Sequence, residues 1–168
     1  LLPRPISICE IDKEDSSLHL VYRIAGKGTA EFSEKQTGDH LSVMGPLGNG
    51  FPLKGKKAFL IGGGIGIPPI LELAKQLDAE KTVVLGYRTS TFLKEEFEEV
   101  CDVKIATEDG SQGAKGTVID AIEKYGVEGK VIYACGPMPM LKALAAYAEE
   151  HGMEAQISLE ERMACGIG

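Results

Sequence analysis

Three short clusters in this sequence have residue types and spacing suited to chemistry with nucleotides and metals. The final stretch, Ser158-Leu-Glu-Glu-Arg-Met-Ala-Cys165-Gly-Ile-Gly168, sets a cysteine in a Gly-rich turn directly after an amphipathic strand. Small residues let backbone N–H groups approach cluster sulfurs, and a thiolate supplies a bond to iron, so Cys165 is a candidate iron ligand. A cluster takes four such thiolates, and only this cysteine sits in the segment. With Leu1 rather than Met at the other end, the chain reads as a fragment cut just inside a cluster-binding segment.

The second cluster is Ile61-Gly-Gly-Gly-Ile-Gly-Ile-Pro68. It follows a short apolar run and precedes a helical pattern. Gly62, Gly63, Gly64 and Gly66 allow a tight turn and close approach of N–H groups to a pyrophosphate at the helix N-terminus. A flexible strand–helix turn is the plainer alternative, and four glycines in this context favour the nucleotide. Pro68 stands where the third Gly or Ala of the usual fingerprint would be. At the end of the next strand, Tyr87-Arg88 replaces the expected acid. Arg88 either faces a 2′-phosphate or is a solvated strand end, so NAD and NADP both stay open. Cys135-Gly-Pro137 closes a later strand at the carboxyl edge, where doubly wound sheets bind ligands. Cys135 is either a thiol beside a nicotinamide or a small core residue. The third cluster joins Arg4-Pro-Ile-Ser7 to Tyr22-Arg-Ile-Ala-Gly-Lys-Gly28-Thr29. Singly these are surface arginines and a turn; together, upstream of a nucleotide fold, they suggest a second, diphosphate-binding site.

These residues need elements to carry them. Before about residue 54 the pattern has period two: Ile6–Ile11 and Leu18–Ile24 read as strands around the turn Asp12–Ser17, with Asp39–Met44 as a third strand and Gly45–Gly50 as a loop. Residues 1–53 are expected to be the later part of an antiparallel barrel. After Lys54 strands and helices alternate. Strands are expected at Ala58–Ile61, Thr82–Tyr87, Val103–Thr107, Val131–Cys135 and Ala155–Leu159. Helices are expected at Pro68–Leu77, Leu93–Val100, Thr117–Tyr125 and Pro137–His151. This alternation predicts a doubly wound, five-stranded parallel sheet over 54–159 in the order 3-2-1-4-5, with 160–168 opening the cluster segment. Met140, Leu141, Leu144 and Tyr147 share a helical face and are expected in the core. His19, His40 and His151 read as surface or strand residues, and the glutamates at 95, 96, 98 and 99 as a solvated helix face.

The net charge of −7, from 25 acidic and 18 basic residues, argues against a nucleic-acid partner. No apolar run is long enough to cross a bilayer. Cys9, Cys101, Cys135 and Cys165 have no C-x-x-C spacing, which argues against a disulfide framework. A reducing cytoplasm is the expected compartment.

With these motifs together, the chain resembles the ferredoxin–NADP reductase superfamily, a flavin-binding barrel followed by a nicotinamide domain. Arg4, Pro5, Ile6 and Ser7 match its R-x-x-S/T flavin signature. Val21, Tyr22, Arg23, Gly28 and Thr29 match its second flavin segment. Gly62–Pro68 match the nicotinamide turn, and Cys135–Pro137 its C-G-P. Within the superfamily, Arg4–Ser7, Gly45–Phe51, Cys135–Leu141 and Ser158–Gly168 look like the electron-transfer subunit of type B dihydroorotate dehydrogenase. That resemblance implies FAD, a [2Fe–2S] cluster with Cys165 as first ligand, and NAD with Cys135 beside the nicotinamide. It also implies a heterotetramer, with an FMN-containing catalytic subunit that oxidises dihydroorotate in pyrimidine biosynthesis. Hydride transfer between flavin and nicotinamide needs positioning rather than an acid–base pair, which fits the absence of a catalytic triad or dyad. Two alternatives stand beside it: a sister electron-transfer subunit of a sulfur reductase or hydrogenase, and a nucleotide-sensing module without electron transfer.

Overall fold

The computed structural model describes residues 3–54, 57–126 and 128–159. Cys165 and the expected cluster segment therefore lie outside the described residues. The period-two segment near the start forms an antiparallel hairpin, β1 (Ile8–Asp12) and β2 (Ser17–Leu20), with an irregular register between Ile8 and Glu10. Asp12 Oδ1 holds the turn by accepting from Glu14 N and Asp15 N at 2.9 and 3.0 Å. Three expectations for this part need correcting; the first is the strand Leu18–Ile24, which ends at Leu20 and leaves Val21, Tyr22 and Arg23 in irregular chain. Gly28-Thr29 lies not in an open turn but in a short helix, α1 (Lys27–Ser33), and Asp39–Met44 is not a strand. Its alternation suits a strand, but among the described residues no neighbouring strand takes up its N–H and C=O groups. Gly45–Gly50 is a loop, as expected, and includes a cis Gly45-Pro46 bond.

The alternating part folds as predicted, with one addition. Strands β3 (Lys57–Gly63), β4 (Glu80–Tyr87), β5 (Asp102–Thr107), β6 (Ala114–Lys115), β7 (Val131–Cys135) and β8 (Glu154–Ser158) make a six-stranded parallel sheet ordered β6-β5-β4-β3-β7-β8. The five expected strands are in the order 3-2-1-4-5. The sixth, β6, adds two residues at the edge, too short to leave a periodic signal. Helices α2 (Ile67–Gln76), α3 (Lys94–Glu98), α4 (Val118–Tyr125) and α5 (Met138–Glu150) connect them.

Local chemistry sets the helix ends. Pro68 and Pro69 occupy the first turn of α2, where N–H groups have no intrahelical acceptor. Thr117 caps α4: its hydroxyl accepts from Asp120 N, and the Asp120 carboxylate accepts from Thr117 N at 2.6 Å. Gly126, at φ +61°, ends that helix in the left-handed region.

Alternate residues of the central strands feed two cores. Leu60, Val83, Leu85, Val131 and Tyr133 join Ile67, Ile70, Leu71 and Ala74 of α2, Phe97 of α3 and Cys9 of β1. Phe59, Ile61, Val84, Ile132 and Ala134 meet α4 and α5 on the opposite face, where Leu141 and Leu144 are buried and Met140 and Tyr147 pack partly buried. The hairpin therefore shares a core with α2 and the sheet. Tyr133 fixes the segment entering β3: its hydroxyl accepts from Lys54 N at 2.8 Å and donates towards the carbonyls of Pro52 and Lys54, while Phe51 stacks edge-on against its ring.

Candidate functional site

The order in which strands are added reverses between β3 and β7, which pair in parallel. The connection from β3 runs through α2 on one face, and that from β7 through α5 on the other. Doubly wound sheets bind their ligands at the carboxyl ends of the strands beside such diverging connections. The Gly62–Gly66 turn and the Cys135-Gly136-Pro137 turn meet there. In the strand register Gly62 lies opposite Cys135, and Cys135 opposite Ser158, so the three line up across the carboxyl edge.

The glycines of the turn serve different needs. Gly66 has ordinary helical angles (φ −80°, ψ −8°), yet a Cβ on it would sit 2.3 Å from the carbonyl carbon and oxygen of Cys135 and 2.5 Å from Gly136 N. It is glycine so that two backbones can touch. A Cβ on Gly63 would sit 2.5 Å from Met140 Sδ, and one on Gly136 2.5 Å from Met140 Cε. Met140 thus fills the seam between the two turns from the α5 side. Gly64 differs: φ is +53°, it is exposed, and a Cβ there would meet nothing within 4 Å. Gly64 leads through a single 3₁₀ turn (Gly64–Gly66) into α2, whose first N–H groups have no intrahelical partners. An exposed left-handed glycine beside such donors fits a diphosphate, since it brings N–H groups to an anion without a side chain between them.

Cys135 ends β7, is 9% exposed and belongs to the α2-side core. It is a small packed thiol, as the core reading expects, and it lies at the carboxyl edge of the sheet. Arg88 is exposed one residue beyond β4. Its loop is tied to the loop after β5 by Glu108 N donating to Tyr87 O at 3.1 Å and Ser111 Oγ donating to Thr89 O at 3.3 Å. Asp109 Oδ1 accepts from Ser111 N and Oγ, which lowers the Asp109 pKa from its ordinary value. Burial pushes the Tyr87 phenol well above its usual value, and the hydroxyl donates to Phe92 O at 2.7 Å.

In the hairpin half, the structure brings Arg4 to Gly28. A Cβ on Gly28 would be 2.9 Å from Arg4 Nε and 3.3 Å from Cζ, so the guanidinium lies over buried backbone that only glycine leaves accessible. Ser7, Pro5 and Arg23 are exposed and Ile6 is half-buried. Val21 packs against the α2-side core, and Tyr22 meets Phe32 edge-on at 6.0 Å. The Thr29 hydroxyl accepts from Ala25 N at 2.9 Å and Gly26 N at 3.2 Å, and donates to Gly26 O, so it fixes the start of α1. A guanidinium over a glycine, with an exposed hydroxyl three residues on, fits a phosphate-bearing cofactor.

The described residues hold no group of three or more His, Cys, Asp or Glu arranged for a metal ion, and so do not by themselves form a cluster site. Cys9 is buried in the α2-side core, and burial raises its pKa; Cys101 is half-buried, with its thiol pushed up by burial to about 11. His40 and His151 are exposed. His19 is exposed but partnered: its Nδ1 lies 2.8 Å from Glu10 Oε2 across the hairpin, a pairing visible only once the register is known. The glutamate face of α3 is solvated at Glu95, Glu98 and Glu99, while Glu96 is half-buried with Oε2 unpaired. Among the described residues, no helix is long and apolar enough to cross a membrane. Met140 and Ser158 belong to the site by geometry. In the sequence Met140 reads as core and as part of the Cys135–Leu141 stretch, and Ser158 only as the start of a motif, because neither carries a phosphate-binding or nucleophilic signature.

Comparison with known proteins agrees with this architecture. The family model described as oxidoreductase NAD-binding domain matches residues 60–146. The dihydroorotate dehydrogenase B (NAD(+)) electron transfer subunit of Bacillus caldolyticus is 50% identical over 177 positions, covering 100% of this chain and 68% of that protein. The subunits of the same name from Geobacillus kaustophilus and Bacillus cereus (strain B4264) are 49% and 46% identical over the same share. A solved structure of NADH-dependent reduced ferredoxin-NADP oxidoreductase superposes with a TM-score of 0.87 at 33% identity, over 98% of this chain and 63% of that one. The C-terminal domain of a Pyrococcus furiosus hydrogenase shares the fold, with a TM-score of 0.53 at 19% identity over 68% of this chain and 100% of its own.

Proposed function

The chain belongs to the family of dihydroorotate dehydrogenase B electron transfer subunits, and from that premise we propose that it moves electrons between a dihydroorotate-oxidising, FMN-containing partner and NAD⁺ in pyrimidine biosynthesis, in the cytoplasm. It is an oxidoreductase subunit with an NAD-binding domain. In this reading residues 1–53 belong to the flavin half and 54–159 to the nicotinamide half, and 160–168 begin a [2Fe–2S] segment with Cys165 as a ligand.

The observation that carries the reading is the seam at the sheet reversal, where an open left-handed glycine and a cysteine are held by two turns in backbone contact. Gly62, Gly63, Gly64 and Gly66 would hold the dinucleotide diphosphate through backbone N–H groups, with Gly64 leaving the approach clear. Cys135 would lie beside the nicotinamide, at the carboxyl end of β7. Arg4 would neutralise the FAD diphosphate, with Gly28 supplying the flat floor beneath it. Ser7 would add a hydroxyl donor, and Tyr22 and Arg23 a ring and a charge at the same edge, while Pro5, Ile6, Val21 and Thr29 shape the backbone that carries them. When bound, FAD supplies two-electron chemistry with NAD(H). The protein's part is then to align two rings and keep water from between them, which calls for no titrating side chain.

The test is a visible spectrum of the complete subunit assembled with its partner, followed by anaerobic titration with NADH. Flavin absorbance that bleaches on adding NADH is the expected result. A complex with neither flavin nor cluster absorbance, still binding NADH, would replace the proposal with nucleotide sensing. Cys165→Ser is expected to lower iron content sharply while NADH still reduces an artificial dye; an unchanged iron content would remove Cys165 from the cluster.

A further inference from the structure

Helix α2 begins at the glycine turn and ends against the hairpin that carries the flavin motif. Its hairpin-facing side bears Glu72 and Lys75, which are i and i+3 and so lie on one face. Glu72 Oε2 accepts from Ile11 N of β1 at 2.9 Å, and its Oε1 accepts from Gln76 Nε2 at 2.6 Å. Lys75 Nζ pairs with Glu10 Oε1, and Glu10 Oε2 lies 2.8 Å from His19 Nδ1 of β2. Between these polar ties, Cys9 of β1 is 2% exposed in the same core as Leu71 and Ala74 of α2. Residues 9, 10 and 11 of β1 are thus all fixed to α2, two by charge and one by burial. Arg4 precedes β1 by four residues, and Pro5 in that stretch removes one backbone torsion. At the other end of α2, Gly66 is locked in backbone contact with Cys135 and Gly136.

We propose that Glu72 and Lys75 are positioning residues for electron transfer: α2 acts as a strut that sets the separation of the flavin-binding segment from the dinucleotide turn, and these two side chains fasten its hairpin end. Neither touches a cofactor. The inference rests on the proposed function, because it needs flavin at the Arg4 segment and NAD at the glycine turn. The backbone acceptor supplied by Glu72 is the specific element. Hairpin strands pair with each other on one edge, and Ile11 N would otherwise point to solvent; a helix carboxylate that captures it ties strand to helix in one register.

The experiment uses the complete subunit in complex with its partner, carrying Glu72→Ala, Glu72→Gln, Lys75→Met or the Glu72→Ala/Lys75→Met pair. Flavin reduction by NADH is followed anaerobically by stopped flow, together with the long-wavelength charge-transfer absorbance of stacked flavin and nicotinamide. Misplacement by about 1 Å costs up to about a hundredfold in rate, so the double variant is expected to lose about tenfold or more in limiting rate and most of the charge-transfer band, with NADH Kd within about twofold of wild type. Glu72→Gln keeps an oxygen that accepts from Ile11 N and is expected to restore the rate and the band. Wild-type rate and band in the double variant overturn the inference and leave the proposed function standing. Loss of flavin or rate in Glu72→Gln equal to that in Glu72→Ala overturns it too, because a collapse of folding is not rescued by the acceptor. A wild-type complex in which NADH fails to reduce any flavin removes the proposed function, and this inference with it.

Discussion

Gly66→Ala tests the seam directly. Gly66 has helical angles, so alanine there is conformationally welcome and, taken alone, would add about 0.5–1 kcal/mol of stability. The neighbours reverse that sign. The new Cβ would lie 2.3 Å from both the carbonyl carbon and oxygen of Cys135, and reaching ordinary contact at about 3.5 Å requires a shift of about 1.2 Å. No side chain can swing aside, because the obstacle is backbone, and that backbone continues a strand paired in register with β3 up to Gly62. Overpacking costs about 1–3 kcal/mol, and a ladder hydrogen bond pulled open in a buried seam adds about 1–3 kcal/mol. The net expectation is a loss of about 1–5 kcal/mol, seen as a fall in melting temperature of roughly 2–20 °C. Urea unfolding followed by far-ultraviolet circular dichroism measures it. Gly64→Ala is the control: it meets no atom within 4 Å but holds φ +53°, so it should cost only about 1–2 kcal/mol while weakening NADH binding. If Gly66→Ala unfolds within about 0.5 kcal/mol of wild type, the two turns are not in the contact described, and the rigidity argued for the site fails.

Arg4→Ala in the complete subunit should weaken FAD retention by about 1.5–3 kcal/mol, read as flavin lost on dialysis; unchanged flavin content would release Arg4 from the diphosphate. Tyr133→Phe removes a buried hydroxyl bonded to Lys54 N and to the Pro52 and Lys54 carbonyls, and should cost about 1–3 kcal/mol, with faster proteolysis in residues 51–54 as its local sign. The hydrogen bond from Lys75, foremost among its causes, holds the Glu10 carboxyl below its ordinary value. The stability this adds is present above the ordinary carboxylate pKa and is lost as pH falls through the depressed one. Lys75→Met should therefore be less stable than wild type by about 0.2–1 kcal/mol at neutral pH, a gap that narrows below about pH 4. A gap that widens in acid would show that the ion pair is not its source.

The nicotinamide half was legible because its signals are local and repeated. Val131–Cys135 is a strand with the bounds expected, and Thr117 followed by Asp120 marks the start of α4. Gly62–Gly66 announced a turn, yet nothing in the sequence distinguishes Gly66, needed for backbone contact, from Gly64, needed for its torsion. That distinction depends on Cys135 and Gly136, about seventy residues away. The hairpin half was less legible. Asp39–Met44 alternates as a strand should, but alternation specifies a face and not a partner. Helix α1 has too few residues for a period to show, and its Thr29 sits three residues inside the helix start rather than at the cap, so the usual cue is displaced. The Glu72 and Lys75 ties were invisible because helix carboxylates and lysines ordinarily face water. Only the register of β1 shows that one of them captures a strand N–H.

The backbone contact between Gly66 and the Cys135–Gly136 turn also bears on how the protein can be altered. Two loops that touch through main chain, with Met140 wedged against both, cannot be exchanged one at a time; a graft at either must bring its counterpart and the methionine with it. In the loops after β4 and β5 the exposed residues Arg88, Thr89, Glu108 and Asp109 lie outside any such contact, whereas Gly113, at φ +70° and with a Cβ that would sit 2.1 Å from Ile105 O, is held as tightly as Gly66. Those four exposed positions can therefore be varied by single residues, while the seam behaves as one indivisible cassette.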